Sequence, residues 1–262
     1  MNENAIKALG RAVIETEAAA LNGLLERIDA QFVEACRRML DCRGRIVVIG
    51  MGKSGHIGCK IAATLASTGS PAFFVHPAEA SHGDLGMIKP EDVVLLLSNS
   101  GETGEVNTIL PLLKRLGVTI IAMTGRPDST LARHADVHLD VSVPREACPL
   151  GLAPTSSTTA ALAMGDALAI SLLQTRGFTR EDFARSHPAG QLGRRLLLHI
   201  RDIMHTGDAI PSVPAGASIS QAIVEMTEKR LGMTAILDAQ GKVAGVYTDG
   251  DLRRTLDAGL DP

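Results

Sequence analysis

From Ile6 to Met39 the apolar positions recur at helical spacing, first Ile6, Leu9 and Val13, then Leu21, Leu24, Leu25 and Ile28. This predicts two amphipathic helices that need a surface to pack on. After Gly44 the pattern changes to the unbroken apolar run Ile46-Val-Val-Ile49, too uniform for a strand with one wet face, which predicts a buried parallel strand. Similar runs recur at Pro71–Val75, Asp92–Leu97, Val118–Met123 and Asp136–Val141. Between them lie helix-length segments at Gly55–Thr68 and Gly104–Leu116, a short turn at Ser129–Arg133, and a long helix at Thr155–Thr175. Strands alternating with helices predict an α/β domain, an open parallel sheet with helices on both faces. Ligands of such sheets bind at the carboxyl ends of the strands, so the loops leaving those ends carry the functional question.

The pattern shifts near Gly193–Met204. From Ile203 onward it reads strand, helix, strand, strand, helix, with a Pro- and Gly-rich lead at Ile210–Gly216 and a turn at Asp238-Ala-Gln-Gly241. This divides the chain into an α/β domain over residues 1–200 and a small α+β module over 203–262.

Composition narrows the function. With 29 acidic against 26 basic side chains the formal net charge is -3, which offers no field for holding phosphodiester backbones, so a nucleic-acid partner is not expected. Five Phe, one Tyr and no Trp leave few stacking platforms for bases or sugar rings. Four scattered cysteines, Cys36, Cys42, Cys59 and Cys148, form no Cys-x-x-Cys pair, so neither a zinc ribbon nor a disulfide framework is expected and a reducing cytoplasm is the default. The amino-terminal segment is acidic where a signal peptide is basic. The most apolar long stretch, Ala160–Leu173, is broken by Asp166, so no membrane span is expected.

Five segments carry candidate chemistry. Gly50-Met-Gly52-Lys53-Ser54-Gly55-His56 matches G-x-G-x-x-G, but the strand that should end in a ribose-binding acid ends in His76, and Val47 stands where a P-loop needs its first glycine. What survives is a helix start whose backbone amides approach an anion, with Lys53 adding a cation. Ser98-Asn-Ser100-Gly101-Glu102-Thr103-Gly104-Glu105 offers three hydroxyls and backbone donors for a phosphate monoester; the alternative is an N-cap cluster, which needs only one of them. The third segment, His76 to Asp84, holds His76, His82, Glu79 and Asp84 in a spacing that is no recognised zinc signature. In the fourth, Glu146 precedes the Thr/Ser-rich helix start at Thr155-Ser-Ser-Thr158, either as a surface acid or facing the same cleft. The fifth is Ser186-His187-Pro-Ala-Gly190, alternatively a helix stop. A phosphate site with Lys, Glu and His groups suits proton transfer beside the carbonyl of a phosphorylated sugar, which requires no metal or redox cofactor.

These motifs, with Glu146-Ala-Cys-Pro-Leu-Gly-Leu-Ala-Pro-Thr-Ser-Ser-Thr158, resemble the sugar isomerase (SIS) domain of the bacterial D-arabinose 5-phosphate isomerases, and Asp202-Ile-Met-His-Thr-Gly207 through Thr248-Asp-Gly-Asp-Leu-Arg-Arg254 resembles the first CBS repeat that follows it. The resemblance implies interconversion of D-ribulose 5-phosphate and D-arabinose 5-phosphate, the first step toward the Kdo sugar of lipopolysaccharide, by a cytoplasmic homotetramer. It places the active-site lysine on Lys53, the histidines on His82 and His187 and the glutamates on Glu105 and Glu146. Phosphate-binding hydroxyls fall on Ser54, Ser98, Ser100 and Thr103, a further substrate contact on Gly69-Ser70, and a metal-sensitive histidine, open to inhibitory zinc, on His76. Glu146 is the expected base, with Glu105 second, and partial burial is expected to raise the pKa of the base modestly. The family usually carries two CBS repeats where this sequence has one, so either the second has been cut away or the gene product lacks it, and the lone repeat is expected to lean on another subunit. The alternatives are a non-catalytic SIS sensor of sugar phosphates, or an isomerase of alditol or hexulose 6-phosphate metabolism.

Overall fold

The computed structural model describes residues 2–186 and 200–258. The chain divides into two compact units, residues 1–197 and 198–262. In the first, β1 (Ile46–Gly50), β2 (Ala72–Val75), β3 (Val93–Leu97), β4 (Thr119–Thr124) and β5 (Val137–Asp140) form one sheet in the order β2-β1-β3-β4-β5. Every pairing is parallel.

Burial on both faces explains the unbroken apolar strands. Val47, Ile49, Val94 and Leu96 enter one core with Val106, Ile109 and Leu113 of α5 (Gly104–Leu116). Val48, Val93 and Leu95 enter the other with Phe32 and Met39 of α2 (Ala30–Leu40), Ile61 and Leu65 of α3 (Gly52–Ser67), and Leu168 and Leu172 of α7 (Ser156–Thr175). Two short helices, α4 (Pro77–Ser81) and α6 (Thr130–His134), follow β2 and β4. The α8 segment (Arg180–Ser186) ends the described part of this unit.

Three elements refine the sequence reading. Helix α3 begins at Gly52, three residues before the expected start, because the glycines that look like a loop already form its first turn. The first predicted amphipathic helix is α1 (Glu3–Gly23), but Ile6, Leu9 and Ile14 are exposed, so the apolar face that predicts it is largely uncovered within one chain. Helix α7 is long and apolar enough to cross a membrane, which corrects the expectation that no segment qualifies. Its Ala160, Met164, Leu168 and Leu172 lie instead in the protein core, and Asp166 pairs with Lys60 on α3.

The second unit runs α9 (Ile200–Ile203), β6 (Ser212–Pro214), α10 (Ile219–Lys229), β7 (Met233–Leu237), β8 (Val243–Thr248) and α11 (Asp249–Asp257). Its sheet has the order β6-β7-β8, with β6 parallel and β8 antiparallel to β7. Capping boxes start both longer helices, Ser218 with Gln221 in α10 and Thr248 with Asp251 in α11.

Candidate active site

The sheet order changes direction at β1, whose neighbours are β2 on one side and β3 on the other. In open parallel sheets the crevice above such a point, at the carboxyl ends, is where ligands bind. A cavity of about 250 Å³ lies there, lined by Lys53 and Ser54 from the start of α3, Ser98 and Asn99 from the end of β3, and Ser157 and Thr158 from the start of α7. Leu97, Met123 and Val141 give it an apolar floor.

Local sequence builds each wall. The first intrahelical bond at the start of α3 runs from Gly55 N to Met51 O at 3.2 Å, so the amides of Gly52, Lys53 and Ser54 precede the helical ladder and are donors without helical acceptors. The G-x-G-x-x-G match serves packing here: a Cβ on Gly55 would lie 2.7 Å from Gly50 O, so glycines let the helix start sit directly on the end of β1. The positive ends of α3 and α7 both border the cavity, and Lys53 adds a full charge.

The Ser98–Thr103 loop is not a capping cluster. Thr103 occupies the N-cap of α5, but its side chain caps nothing; its Oγ1 lies 2.7 Å from Ser98 Oγ, which also accepts from Gly101 N at 3.0 Å. Ser100 Oγ accepts from Glu102 N at 3.2 Å. Gly101 has φ +65, and a Cβ there would run into the Ser129 hydroxyl. The hydroxyls therefore shape the loop itself, with Ser98 at the cavity wall and Ser100 exposed to solvent.

Glu146 sits in an adjoining groove beside α1, and its carboxylate reaches the cavity wall through Ser157. Its Oε2 accepts from Thr155 N at 2.8 Å, Thr155 Oγ1 at 3.1 Å and Ser157 N at 3.2 Å, so it closes the amino terminus of α7. Burial pushes its pKa up, but hydrogen bonds from Ser157 and Thr155 outweigh this and hold it below the ordinary 4.5. That reverses the expected upward shift, because partial burial brings the carboxylate onto donors rather than into an apolar pocket.

The remaining predicted residues are not gathered at the cavity. Glu105 is exposed in the first turn of α5. His76 caps α4, its Nδ1 accepting from Ala78 N at 3.3 Å, and His82 is exposed at the end of that helix. Gly69 and the buried Ser70 follow α3 and precede β2, which puts them at the amino-terminal edge of the sheet, opposite the cavity. His187 lies outside the described residues. Among the described residues no group of three His, Cys, Asp or Glu side chains is placed to hold a metal ion. Asn99 and Thr155 carry roles that counting hydroxyls near glycines does not reveal; the signal for Thr155 is its position one residue ahead of a helix and nine after an acid.

Residues 39–171 match the SIS domain family and residues 200–258 the CBS domain family. Over 248 residues the chain is 64% identical to arabinose 5-phosphate isomerase KdsD of Pseudomonas aeruginosa, covering 95% of this chain and 76% of that protein. The chain belongs to the arabinose 5-phosphate isomerase family. KdsD of Escherichia coli K12, of the same family, is 60% identical over 252 residues, 96% of this chain and 77% of its own length. A solved structure of an Escherichia coli CFT073 protein in complex with A5P superposes with a TM-score of 0.70 at 44% identity, covering 72% of this chain and 100% of that one. The cavity walls, from Lys53 to Thr158, fall inside the SIS match.

Proposed function

We propose that this isomerase interconverts D-ribulose 5-phosphate and D-arabinose 5-phosphate through an enediolate. The cavity above β1 and β3 carries the reading: the amino terminus of α3, Lys53 and hydroxyl groups suit one phosphate, and the carboxylate that closes the amino terminus of α7 is bonded to the cavity wall at Ser157. Lys53, Ser54 and Ser98 hold the phosphate, with Ser100 and Thr103 shaping the loop. The three hydrogen bonds to Glu146 all end on Oε2, and Oε1 takes the C2 proton of the open-chain aldose. The electron pair of that bond forms the C1–C2 double bond and leaves the charge on O1. Return of the proton to C1, with the hydroxyl proton passing from O2 to O1, gives the ketose.

His82, His187 and Glu105 assist proton movement between oxygens, and a homotetramer supplies across subunit boundaries what one chain leaves apart, Gly69 and Ser70 included. The exposed apolar face of α1 supports such an assembly. The enzyme works in the cytoplasm, its product feeding Kdo and lipopolysaccharide synthesis, and needs no metal or cofactor; zinc at His76 inhibits. A coupled assay with ribulose 5-phosphate, fructose 6-phosphate and glucosamine 6-phosphate tests the substrate, and turnover of a hexose phosphate alone refutes it. Chelation should leave the rate unchanged, and a loss restored by added metal ends the metal-free reading.

A further inference from the structure

Glu102 places a carboxylate in the loop that forms the phosphate site, where like charge opposes the ligand. Its hydrogen bonds show what it does there. Glu102 Oε1 accepts from Thr130 N, the first residue of α6, at 2.7 Å. Two backbone bonds run alongside, from Leu131 N to Gly101 O at 3.1 Å and from Gly125 N to Asn99 O at 2.9 Å. The segment they tie to is itself fixed: buried Ser129 donates to Arg126 O at 2.7 Å, accepts from Ala132 N at 3.3 Å, and lies against the bare face of Gly101. The bonds from Thr130, aided by Arg133 and Arg126, hold the Glu102 carboxyl below its ordinary range despite some desolvation, so it stays an ionised acceptor.

We infer that Glu102 is a positioning residue, one that fixes the Ser98–Thr103 loop to the start of α6 and so sets the geometry of the phosphate site without touching the substrate. This rests on the phosphate-site reading above.

The link can be cut from either side. Glu102→Ala removes the acceptor, whereas Glu102→Gln keeps an oxygen for the Thr130 amide and discards only the charge. Thr130→Pro removes the donor at a helix position where proline is favoured. Ser129, at φ -72 and ψ 160, already has the extended backbone that a residue before proline needs. The readouts on the 262-residue chain are kcat, KM for arabinose 5-phosphate and the inhibition constant of inorganic phosphate.

Glu102→Ala and Thr130→Pro should each raise KM and the phosphate inhibition constant about tenfold while kcat changes less than about twofold, as expected for one charge-assisted hydrogen bond. The double variant should be no worse than either single one, and Glu102→Gln, which keeps the acceptor but loses its charge, should fall between the parent protein and Glu102→Ala. Unchanged constants, a fall in kcat alone, or a Glu102→Gln protein as impaired as Glu102→Ala would each overturn the inference. Should Thr130→Pro not fold, the contrast between Ala and Gln at position 102 still decides it. A parent enzyme that isomerises but that phosphate does not inhibit removes the phosphate-site reading instead.

Discussion

Thr155 meets Glu146 with both main chain and side chain, its N and Oγ1 lying 2.8 and 3.1 Å from Oε2. One oxygen of the carboxylate is thereby fixed to the start of α7, and the orientation of the other follows. Glu146→Gln can keep an oxygen on these donors while losing the base. The expected outcome is a folded protein with kcat lowered at least about a hundredfold, as loss of a general base commonly costs. Solvent exchange of the C2 proton should fall in parallel. Normal exchange in Glu146→Gln, with exchange lost in Glu105→Gln, moves the role of base to Glu105.

The depressed pKa of Glu146 makes a statement about pH. Folding favours its ionised form, so its contribution to stability is fully present above the unfolded value near 4.5 and is lost as pH falls through the lower folded value. In its proposed role as base, Glu146 is kept ionised across the neutral range by the same shift. Protonation of Glu146 should therefore reduce kcat/KM only below 4.5. Carboxylate NMR of the folded protein that shows Glu146 titrating above 4.5 would contradict this.

Gly101 joins a left-handed backbone, φ +65, to direct contact with Ser129. Gly101→Ala meets both obstacles at once, and a non-glycine residue in that region alone costs about 1–3 kcal/mol. Urea unfolding should show a loss of about 2 kcal/mol or more once the steric clash is added. Weaker inhibition by inorganic phosphate should accompany it, because Gly101 N bonds to Ser98 Oγ at the cavity wall and moves with the strained backbone. A variant with unchanged stability and phosphate binding would mean that the loop adapts at no cost.

How legible this was depends on the range of each interaction. The strands were readable because burial on both faces writes itself as an unbroken apolar run, as in Val93–Leu97. That Lys53, Ser54 and Ser98 line one cavity was readable for a related reason: each lies beside a glycine or a strand end. Glu146 was readable as a candidate but not in its protonation, which is set by donors nine and eleven residues away. Glu102 bonds to a residue twenty-eight positions on, and such a contact leaves no periodic trace in the sequence. Gly69 and Ser70 match the family motif, yet the path of α3 carries them to the far edge of the sheet, a displacement that spacing alone does not reveal.

Lys53 remains to be assigned between phosphate and enediolate, and the geometry favours phosphate. It belongs to the same helical turn as Ser54 and the unbonded amides of α3, so charge and dipole act on one anion. An interaction with the phosphate is made equally in ground and transition states, and its loss appears in KM. One with the enediolate is made only as charge develops on O1, and its loss appears in kcat. Lys53→Met should therefore raise KM for arabinose 5-phosphate about ten- to a hundredfold, the cost of one charge-assisted contact, with a smaller change in kcat. The inhibition constant of inorganic phosphate should rise by the same factor. A large fall in kcat at unchanged KM and unchanged phosphate inhibition would place the ammonium on the enediolate instead.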